Sequence, residues 1–292
     1  MNAAELRGVS YVYSEHTPFC KVAVDNIDIT FEEKLVTGII GHTGSGKSTV
    51  SQLLNGLLKP TSGVVEVDGK DIWAEPKKIR NVRFSVGLVF QYPEYQLFEE
   101  TCYKDIAFGP RNMGLPEDEI DERVREAAEL VGISEDLFEK SPFDLSGGQK
   151  RRIAIAGIMA MRPKILILDE PAAGLDPRGR DEILSRIVEY RKKTDSTVIM
   201  ISHSMEDMAV YCDKILVMSD SKPFMYGAPR EVFGRARDLE SVGLTVPQVT
   251  KMMLSLAEMG FDVRTDVYTV AQAKEEIERL MGTSCTLNNF LQ

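Results

Sequence analysis

Short apolar runs alternate with segments of helical periodicity up to about residue 222. Runs rich in Val, Ile and Leu predict eight strands, because β-branched and other apolar residues in runs of this length are typical of strands. The predicted strands span residues 9–13, 27–31, 36–40, 64–67, 86–90, 165–168, 198–201 and 215–218. The run at 165–168 is apolar at every position, which is typical of a parallel strand covered on both faces.

Three segments between these strands predict helices. Apolar residues recur at helical spacing from Val50 to Leu58, so one helix is expected over that segment. A second is expected between Pro116 and Gly132, because proline favours the first turn and glycine the C-terminal end. A third runs from about residue 181 to 193. Strands that alternate with helices indicate an α/β fold.

After Lys222 the pattern becomes mostly helical. We expect residues 1–222 to form one α/β domain and residues 223–292 a small C-terminal domain with an accessory or dimerisation role. The first of its two predicted helices is capped by Thr245, starts at Pro247 and ends at Gly260. The second ends at Gly282. Methionines on one face of the first helix are interpreted as packing residues. A partner-binding face is the alternative.

The octet from Gly41 to Ser48 has the spacing G-x-x-x-x-G-K-[ST] of a phosphate-binding P-loop and lies between a predicted strand and a predicted helix. Its glycines let backbone N–H groups turn toward phosphate oxygens, and the following helix presents its positive end to the same charge. Lys47 is placed to neutralise β- and γ-phosphates, and the Ser48 hydroxyl to ligate Mg²⁺. The residues expected to contact the nucleotide are His42, Thr43, Gly44, Ser45, Gly46, Lys47, Ser48 and Thr49. The side chain of His42 is interpreted as non-catalytic.

Two carboxylates follow the apolar run at 165–168. An apolar strand that ends in a carboxylate places Asp169 at the carboxyl edge of the sheet beside the P-loop, where it can hold Mg²⁺ through water. Glu170 adds a carboxylate suited to polarise a water molecule for attack on the γ-phosphate. The pair therefore indicates hydrolysis. A simple helix-start signal is the alternative.

A second predicted anion cradle lies at residues 145–149, with the sequence Leu-Ser-Gly-Gly-Gln. Ser146 is a good helix N-cap, and Gly147 and Gly148 expose N–H groups before a helix that follows Gln149. Within one chain, two phosphate cradles have no obvious joint use. A bare capping turn explains the serine but not the whole pattern.

With this pentapeptide the chain resembles the ATP-binding cassette (ABC) ATPase family, in which residues 145–149 correspond to the signature motif. The resemblance covers residues 5 to about 230. It implies a P-loop fold with a RecA-like α/β core, an antiparallel β subdomain, a helical signature subdomain and, here, a small α-rich C-terminal domain. It also implies ATP and Mg²⁺ as cofactors. The signature of one subunit covers the ATP held by another, so the expected partner is a second ABC ATPase subunit, in a heterodimer or a homodimer.

The remaining family elements occur in the expected order. Gln91 matches the Q-loop glutamine, which in the family senses Mg²⁺ and the attacking water. Asp176 matches the D-loop, which reaches across the dimer, and His203 matches the switch histidine that contacts the γ-phosphate. Tyr13 matches the aromatic residue that stacks on adenine. Tyr11 competes with it, because alternate residues of a strand share a face.

Four segments are similar to the ATPases of energy-coupling factor (ECF) importers, and these are residues 55–60, 89–101, 104–110 and 171–177. Residues 96–100 resemble the second of the two paired ATPases in such systems. This resemblance implies that ATP hydrolysis powers the uptake of vitamins or other micronutrients. Transport then proceeds through a transmembrane T subunit and substrate-binding S subunits.

Three glutamates after Gln91 are candidate contacts to the T subunit. In the family, this region receives coupling helices that present arginines. Glu94, Glu99 and Glu100 are suited to accept them, because carboxylate–Arg pairs combine strength with direction. A solvated acidic face is the alternative interpretation.

Composition restricts the partners and the compartment. The chain has 35 Lys and Arg against 45 Asp and Glu, so its net charge of −10 disfavours nucleic acid as a partner. No apolar stretch approaches the roughly 20 residues of a membrane span, so we expect none. Residues 1–8 show neither the basic nor the apolar region of a secretion signal, so secretion is not expected. Cys20, Cys102, Cys212 and Cys285 are scattered and are expected to be reduced thiols. The expected location is the cytoplasmic face of the cell membrane, as a peripheral subunit.

Other functions stay open at this level. A cobalt or nickel importer ATPase shares the same type of cassette. A cassette ATPase that acts on DNA or ribosomes is disfavoured, because about one hundred residues without heptads separate the P-loop from the signature, and the chain has one cassette. A regulatory subunit with an inactive site is disfavoured by the presence of Lys47, Asp169, Glu170 and His203.

Overall fold

A six-stranded sheet forms the centre of the protein, and its strands run parallel except at one edge. The computed structural model describes the backbone of residues 1–288 and the side chains of residues 1–282. In spatial order the strands are β10 (Lys222–Gly227), β9 (Lys214–Ser219), β3 (Val36–Gly41), β8 (Thr197–Ile201), β7 (Ile165–Asp169) and β6 (Val86–Val89). The α/β fold class predicted from the sequence is confirmed. Strand β10 was not among the predicted strands.

Alternate residues of the central strands pack on opposite faces of this sheet. Ile40, Leu168 and Met200 are fully buried in the core on one face. Ile39 and Ile167 are fully buried in a second core on the other face. Both faces are covered, and this explains why the strands lack polar residues at alternate positions.

A four-stranded antiparallel sheet covers the second face, as the family resemblance implied. Its strands, in spatial order, are β2 (Lys21–Glu32), β1 (Asn2–Tyr13), β4 (Ser62–Val67) and β5 (Lys70–Asp71). Leu6 and Phe31 from this sheet share the second core with Leu53 and Leu54 of the first helix. The sheet and this helix therefore pack together behind the P-loop.

The helices before β9 surround the central sheet. They are α1 (Lys47–Leu54), α2 (Ile79–Ser85), α3 (Cys102–Met113), α4 (Glu117–Val131), α5 (Gly147–Met159), α6 (Pro177–Thr194) and α7 (Met205–Tyr211). Short 3-10 turns lie at Pro76–Lys78, Pro93–Gln96, Glu135–Leu137 and Pro142–Asp144. Helices α3, α4 and α5 pack together through buried Ile106, Val124 and Ile153. They form the helical subdomain that carries the signature.

One helix prediction is wrong at its end. Helix α1 stops at Leu54, whereas the apolar stripe extended it to Leu58. The side-chain amide of Asn55 donates to the carbonyl of Val86, so the chain turns toward β6 at this point. Leu57 is left exposed.

The C-terminal part contains the helices α8 (Pro229–Phe233), α9 (Ala236–Ser241), α10 (Gln248–Glu258) and α11 (Val270–Asn288). The expected domain boundary after Lys222 falls within β10, which pairs with β9. In addition, Phe233 and Leu239 are buried in the larger core. The pairing of β10 with β9 places residues 223–227, the first of the predicted C-terminal domain, in the central sheet. The division into two domains stays a prediction.

Two end signals of the C-terminal helices were misread. Thr245 does not cap α10, because its hydroxyl donates to the carbonyl of Val246 and the helix starts after Pro247. Helix α11 continues past Gly282 to Asn288. On the methionine-rich face of α10, Met253 is fully buried whereas Met259 is exposed.

Cys20, Cys102 and Cys212 have free thiols, and the side chain of Cys285 lies outside the described residues. Within the described part of the chain, none of the helices combines the length and the apolar character needed to cross a membrane.

Candidate nucleotide-binding site

The carboxyl ends of three neighbouring strands meet at one edge of the central sheet. The P-loop follows β3, Asp169 ends β7, and His203 lies two residues after β8. Asp169 lies opposite Ile201, the last residue of β8. The parallel order of the strands therefore brings together residues that are far apart in the sequence.

The P-loop wraps around the side chain of Lys47. The Lys47 Nζ donates to the carbonyl oxygens of Gly41, at 2.7 Å, and His42, at 3.0 Å. Burial lowers the pKa of Lys47, and the nearby carboxylates of Asp169 and Glu170 oppose this effect. The Ser45 hydroxyl oxygen is buried without a hydrogen-bond partner among the described residues. A loop with an unpartnered hydroxyl and a buried ammonium fits an anionic ligand.

Gly46 precedes α1 in a conformation that disfavours other residues. Its φ is 102°, and an added Cβ would lie 2.4 Å from the carbonyl oxygen of Ala23 in β2. The helix can therefore start directly under the loop only with glycine here. Its N-terminus, where backbone N–H groups are free, faces the expected phosphate position.

Ser48 and Asp169 supply oxygen atoms at the base of the site. The Ser48 hydroxyl donates to Asp169 Oδ2 at 2.9 Å. Burial raises the pKa of Asp169, while this hydrogen bond and the charge of Lys47 oppose the rise. A hydroxyl and a carboxylate side by side fit Mg²⁺, which takes oxygen ligands and keeps places for water and phosphate.

Glu170 lies just beyond the strand end, with a left-handed backbone (φ 52°). Its N–H donates to the carbonyl of Ile201 at 2.9 Å, which fixes the residue against β8. Its Oε1 accepts no hydrogen bond and lies 3.7 Å from Nε2 of His203. Burial, and then the charge of Asp169, raise the pKa of Glu170 to about 7. A buried carboxylate with one unoccupied oxygen is suited to bind and orient a water molecule.

His203 completes this cluster. Its side chain is more than half exposed, on the solvent side of Glu170. Burial of the ring and the charge of Lys47 lower the pKa of His203, which favours the neutral imidazole. The predicted trio of Lys47, Glu170 and His203 is thus assembled in one place.

The two tyrosines that compete for the base lie in different surroundings. The Tyr13 ring is exposed, and its hydroxyl lies 3.3 Å from the Thr49 hydroxyl in the first turn of α1. The Tyr11 ring packs against the second core and contacts Tyr13 edge-on, with centroids 4.8 Å apart. Tyr13 is therefore the more exposed of the two rings, and its stacking role stays a prediction.

The signature residues are arranged as the start of α5. Ser146 caps the helix, and its own N–H donates to Oε1 of Gln149 at 3.0 Å. Apart from its chain neighbours and the backbone of its own helix, an added Cβ on Gly147 would meet no atom of the described residues within 4 Å. Packing within the described residues therefore leaves room for a side chain at position 147. No hydrogen bond or ion pair between described residues links 146–149 to the P-loop.

The other loop residues lie at the surface. Asp176 is exposed and caps α6 by accepting from the N–H of Gly179 at 2.7 Å. Gln91 is exposed two residues after β6. The ring of His42 faces the turn between β9 and β10, with Nε2 3.8 Å from an oxygen of Asp220. These side chains lie outside the Lys47–Glu170 cluster.

Arg151 is a functional candidate that the sequence analysis missed. This buried side chain binds Glu94 with two hydrogen bonds, at 3.1 and 2.9 Å, and also donates to the carbonyl of Ala173. It thereby joins α5 to the segment after Gln91 and to the loop after Glu170. The burial of Arg151 could have been inferred from its position in the helix, because residue 151 shares a face with the apolar Ile155.

Glu94 is consequently not a free acceptor for a partner. Its carboxylate is held by Arg151 inside the chain, and this pair lowers the pKa of Glu94 although burial acts in the opposite direction. Glu100 is exposed and pairs with Lys104 at 2.5 Å. Contacts of Glu99 and Glu100 with a T subunit stay predictions.

A P-loop beside a strand-end pair of carboxylates defines a P-loop nucleoside triphosphatase, and the comparisons specify which kind. A model of the ABC transporter family matches residues 24–173. The chain is 55% identical over 280 residues to the "Energy-coupling factor transporter ATP-binding protein EcfA2" of Caldanaerobacter subterraneus subsp. tengcongensis, covering 96% of this chain and 98% of that protein. It is also 55% identical over 281 residues to the protein of the same name from Clostridium acetobutylicum, again covering 96% and 98%.

A solved structure agrees with these relatives. The structure of cbiO1 from Clostridium perfringens, described as part of the ABC transporter complex cbiONQ, superposes with a TM-score of 0.74 at 40% identity. The match covers 89% of this chain and 97% of that one. The chain belongs to the ABC transporter family and, within it, to the energy-coupling factor transporter ATP-binding proteins.

Proposed function

We propose that this protein is the ATP-hydrolysing subunit of an energy-coupling factor importer. The observation that carries the proposal is the assembly of Lys47, the Ser48–Asp169 pair, Glu170 and His203 at one sheet edge. The named relatives are ATP-binding proteins of energy-coupling factor transporters. In this role the chain converts ATP and water to ADP and phosphate. The energy drives uptake of vitamins or other micronutrients by membrane partners.

Each residue of the site has a defined task in this reaction. Tyr13 stacks on the base, and the N–H groups of the P-loop bind the phosphates together with Lys47. Ser48 and Asp169 would hold Mg²⁺, with Gln91 as a further ligand from the neighbouring loop. When bound, the ion neutralises charge that develops on the phosphates. Glu170 orients water for in-line attack, and His203 contacts the γ-phosphate.

A second ABC ATPase subunit completes each site in this proposal. The open space at Gly147 supports it, because a nucleotide held by another subunit could approach the backbone there. The exposed Asp176 is available to the same interface. The partner is a different ATPase in a heterodimer or a second copy in a homodimer.

A groove between the central sheet and the helical subdomain is the proposed docking site of the transmembrane T subunit. It has a volume of about 340 Å³ and is lined largely by apolar residues of the segment 90–98 and of α3 and α5. Phe98 and Phe108 are exposed there and contact each other edge-on. Glu99 and Glu100 lie beside it in sequence and are the proposed acceptors for arginines. Docking places the chain at the cytoplasmic face of the membrane, with S components bound through the complex.

Glu170→Gln tests the catalytic assignment. The variant keeps the shape of the side chain but cannot act as a base, so phosphate release should fall by at least about 100-fold. ATP binding should persist, and size-exclusion chromatography should show a trapped dimer with ATP bound. Lys47→Ala is the control, because it should weaken ATP binding itself. Normal turnover of Glu170→Gln would refute the assignment.

A further inference from the structure

Lys21 lies at the rim of the proposed nucleotide site and belongs to none of the motifs discussed above. It is the first residue of β2 and lies directly opposite Tyr13, the last residue of β1. Residues that face each other on antiparallel strands project their side chains from the same face of the sheet. The lysine and the tyrosine therefore lie side by side at the mouth of the β1–β2 hairpin.

The Lys21 side chain reaches the P-loop. Its Nζ lies 3.7 Å from the position that a Cβ atom would occupy on Gly44, and apart from residues 43–45 no other described residue has an atom within 4 Å of that position. Tyr13 meanwhile contacts Thr49 at the start of α1. The hairpin thus contacts the P-loop region at two points, one aromatic and one cationic.

The ammonium group of Lys21 has no carboxylate within ion-pair distance among the described residues, and the side chain is exposed. Lysines nearby differ from it in this respect. Lys222 pairs with Asp25 at 2.9 Å, and Lys214 pairs with Glu32 at 2.6 Å. Lys21 is therefore a positive charge beside the phosphate loop that is available to an external anion.

The charges inside the site favour a second cation near the phosphates. Lys47 is the cation under the P-loop, and the carboxyl groups of Asp169 and Glu170 lie close enough to act on its pKa. A nucleoside triphosphate adds several further negative charges. A second cation beside Gly44 would reduce this repulsion.

We propose that Lys21 binds the phosphate chain of the nucleotide beside Gly44 of the P-loop. A nucleotide with its base on Tyr13 and its phosphates in the P-loop passes Lys21, which donates to phosphate oxygens near Gly44. This inference rests on the proposed function and adds to it a phosphate-contacting residue from the β1–β2 hairpin. Lys21 strengthens binding and takes no part in the chemistry.

Calorimetric titration of the purified full-length protein with Mg·ATP and Mg·ADP tests the proposal. Lys21→Gln should raise the dissociation constant about three- to five-fold, the range expected for one exposed ion pair. Lys21→Arg should retain the wild-type affinity. The difference between Lys21→Gln and wild type should shrink at about 0.5 M salt, because salt screens exposed charges.

Lys70→Gln is the matched control. Lys70 is also exposed and lies on β5, at the opposite edge of the same four-stranded sheet. This variant makes the same change in net charge and should bind ATP like the wild type. If Lys21→Gln binds ATP as tightly as Lys70→Gln, the role of Lys21 is refuted and the proposed function stands. If neither the wild type nor Lys47→Ala binds ATP, the proposed function itself is refuted.

Discussion

Glu170 carries a carboxylate in surroundings that favour its protonated form. Burial is the larger cause and Asp169 the smaller, and together they raise its pKa to about 7. The N–H of Glu170 donates to the carbonyl of Ile201 in β8, which holds the backbone of this residue at the edge of the sheet. The site therefore stores unfavourable charge interactions, which bound cations can relieve.

This arrangement predicts a pH-dependent effect of Glu170→Gln on stability in the nucleotide-free protein with a metal chelator present. A raised pKa in the folded state contributes stability that is complete below the unfolded pKa of about 4.5 and is lost as the pH rises through about 7. Glutamine mimics the protonated acid at every pH. The variant should come within about 0.5 kcal/mol of the wild type near pH 4.5 and exceed its free energy of unfolding by about 3 kcal/mol near pH 8.

Urea denaturation at the two pH values measures this difference. Ser85→Ala, a change outside the site, should give the same difference from wild type at both pH values. A Glu170→Gln effect that does not vary with pH would contradict the assigned environment of the carboxylate.

At the scale of elements, the sequence reveals the strands better than the connections between them. The buried strands β3, β7 and β8 were predicted because their side chains are apolar on both faces. Strand β10 was missed because its order comes from backbone pairing with β9, and Met225 is its one buried residue. Helix α3 was not identified, since it contains Gly109 and Pro110, which usually end a helix.

The candidate site was predictable for the same reason that its strands were. Lys47, Asp169 and Glu170 each follow a strong strand pattern, so their meeting at one edge follows from parallel topology. The Arg151–Glu94 pair could not be found this way, because its partners are 57 residues apart and join a helix to a turn. Such pairs depend on tertiary packing, which local patterns do not encode.

Arg151→Ala should therefore destabilise the protein strongly. The variant leaves Glu94 without its cation in a mostly buried position, and removal of one partner of a buried pair costs about 3–5 kcal/mol. The neighbouring Arg152→Ala is the matched control. Its partner Glu182 is more exposed, so that loss should stay below about 1 kcal/mol. Equal losses in urea denaturation would contradict a special role for Arg151.

At the scale of the whole molecule, the net negative charge of the chain contrasts with the lysines beside the P-loop. The net charge of −10 coexists with a phosphate site because Lys47 and Lys21 act locally. The groove between the sheet and the helical subdomain is apolar, with Glu99 and Glu100 close to it in sequence. A membrane partner that presents apolar side chains and arginines fits this combination.

The identity of the proteins that accompany this chain tests the central claim most directly. The tagged protein is purified from detergent-solubilised membranes, and its companions are identified by mass spectrometry. The account predicts an ABC ATPase, a T-type membrane protein and S components, and it predicts that a Glu99→Lys, Glu100→Lys double variant recovers less T protein. Recovery of DNA-maintenance or ribosomal proteins, with no membrane subunit, would contradict the account.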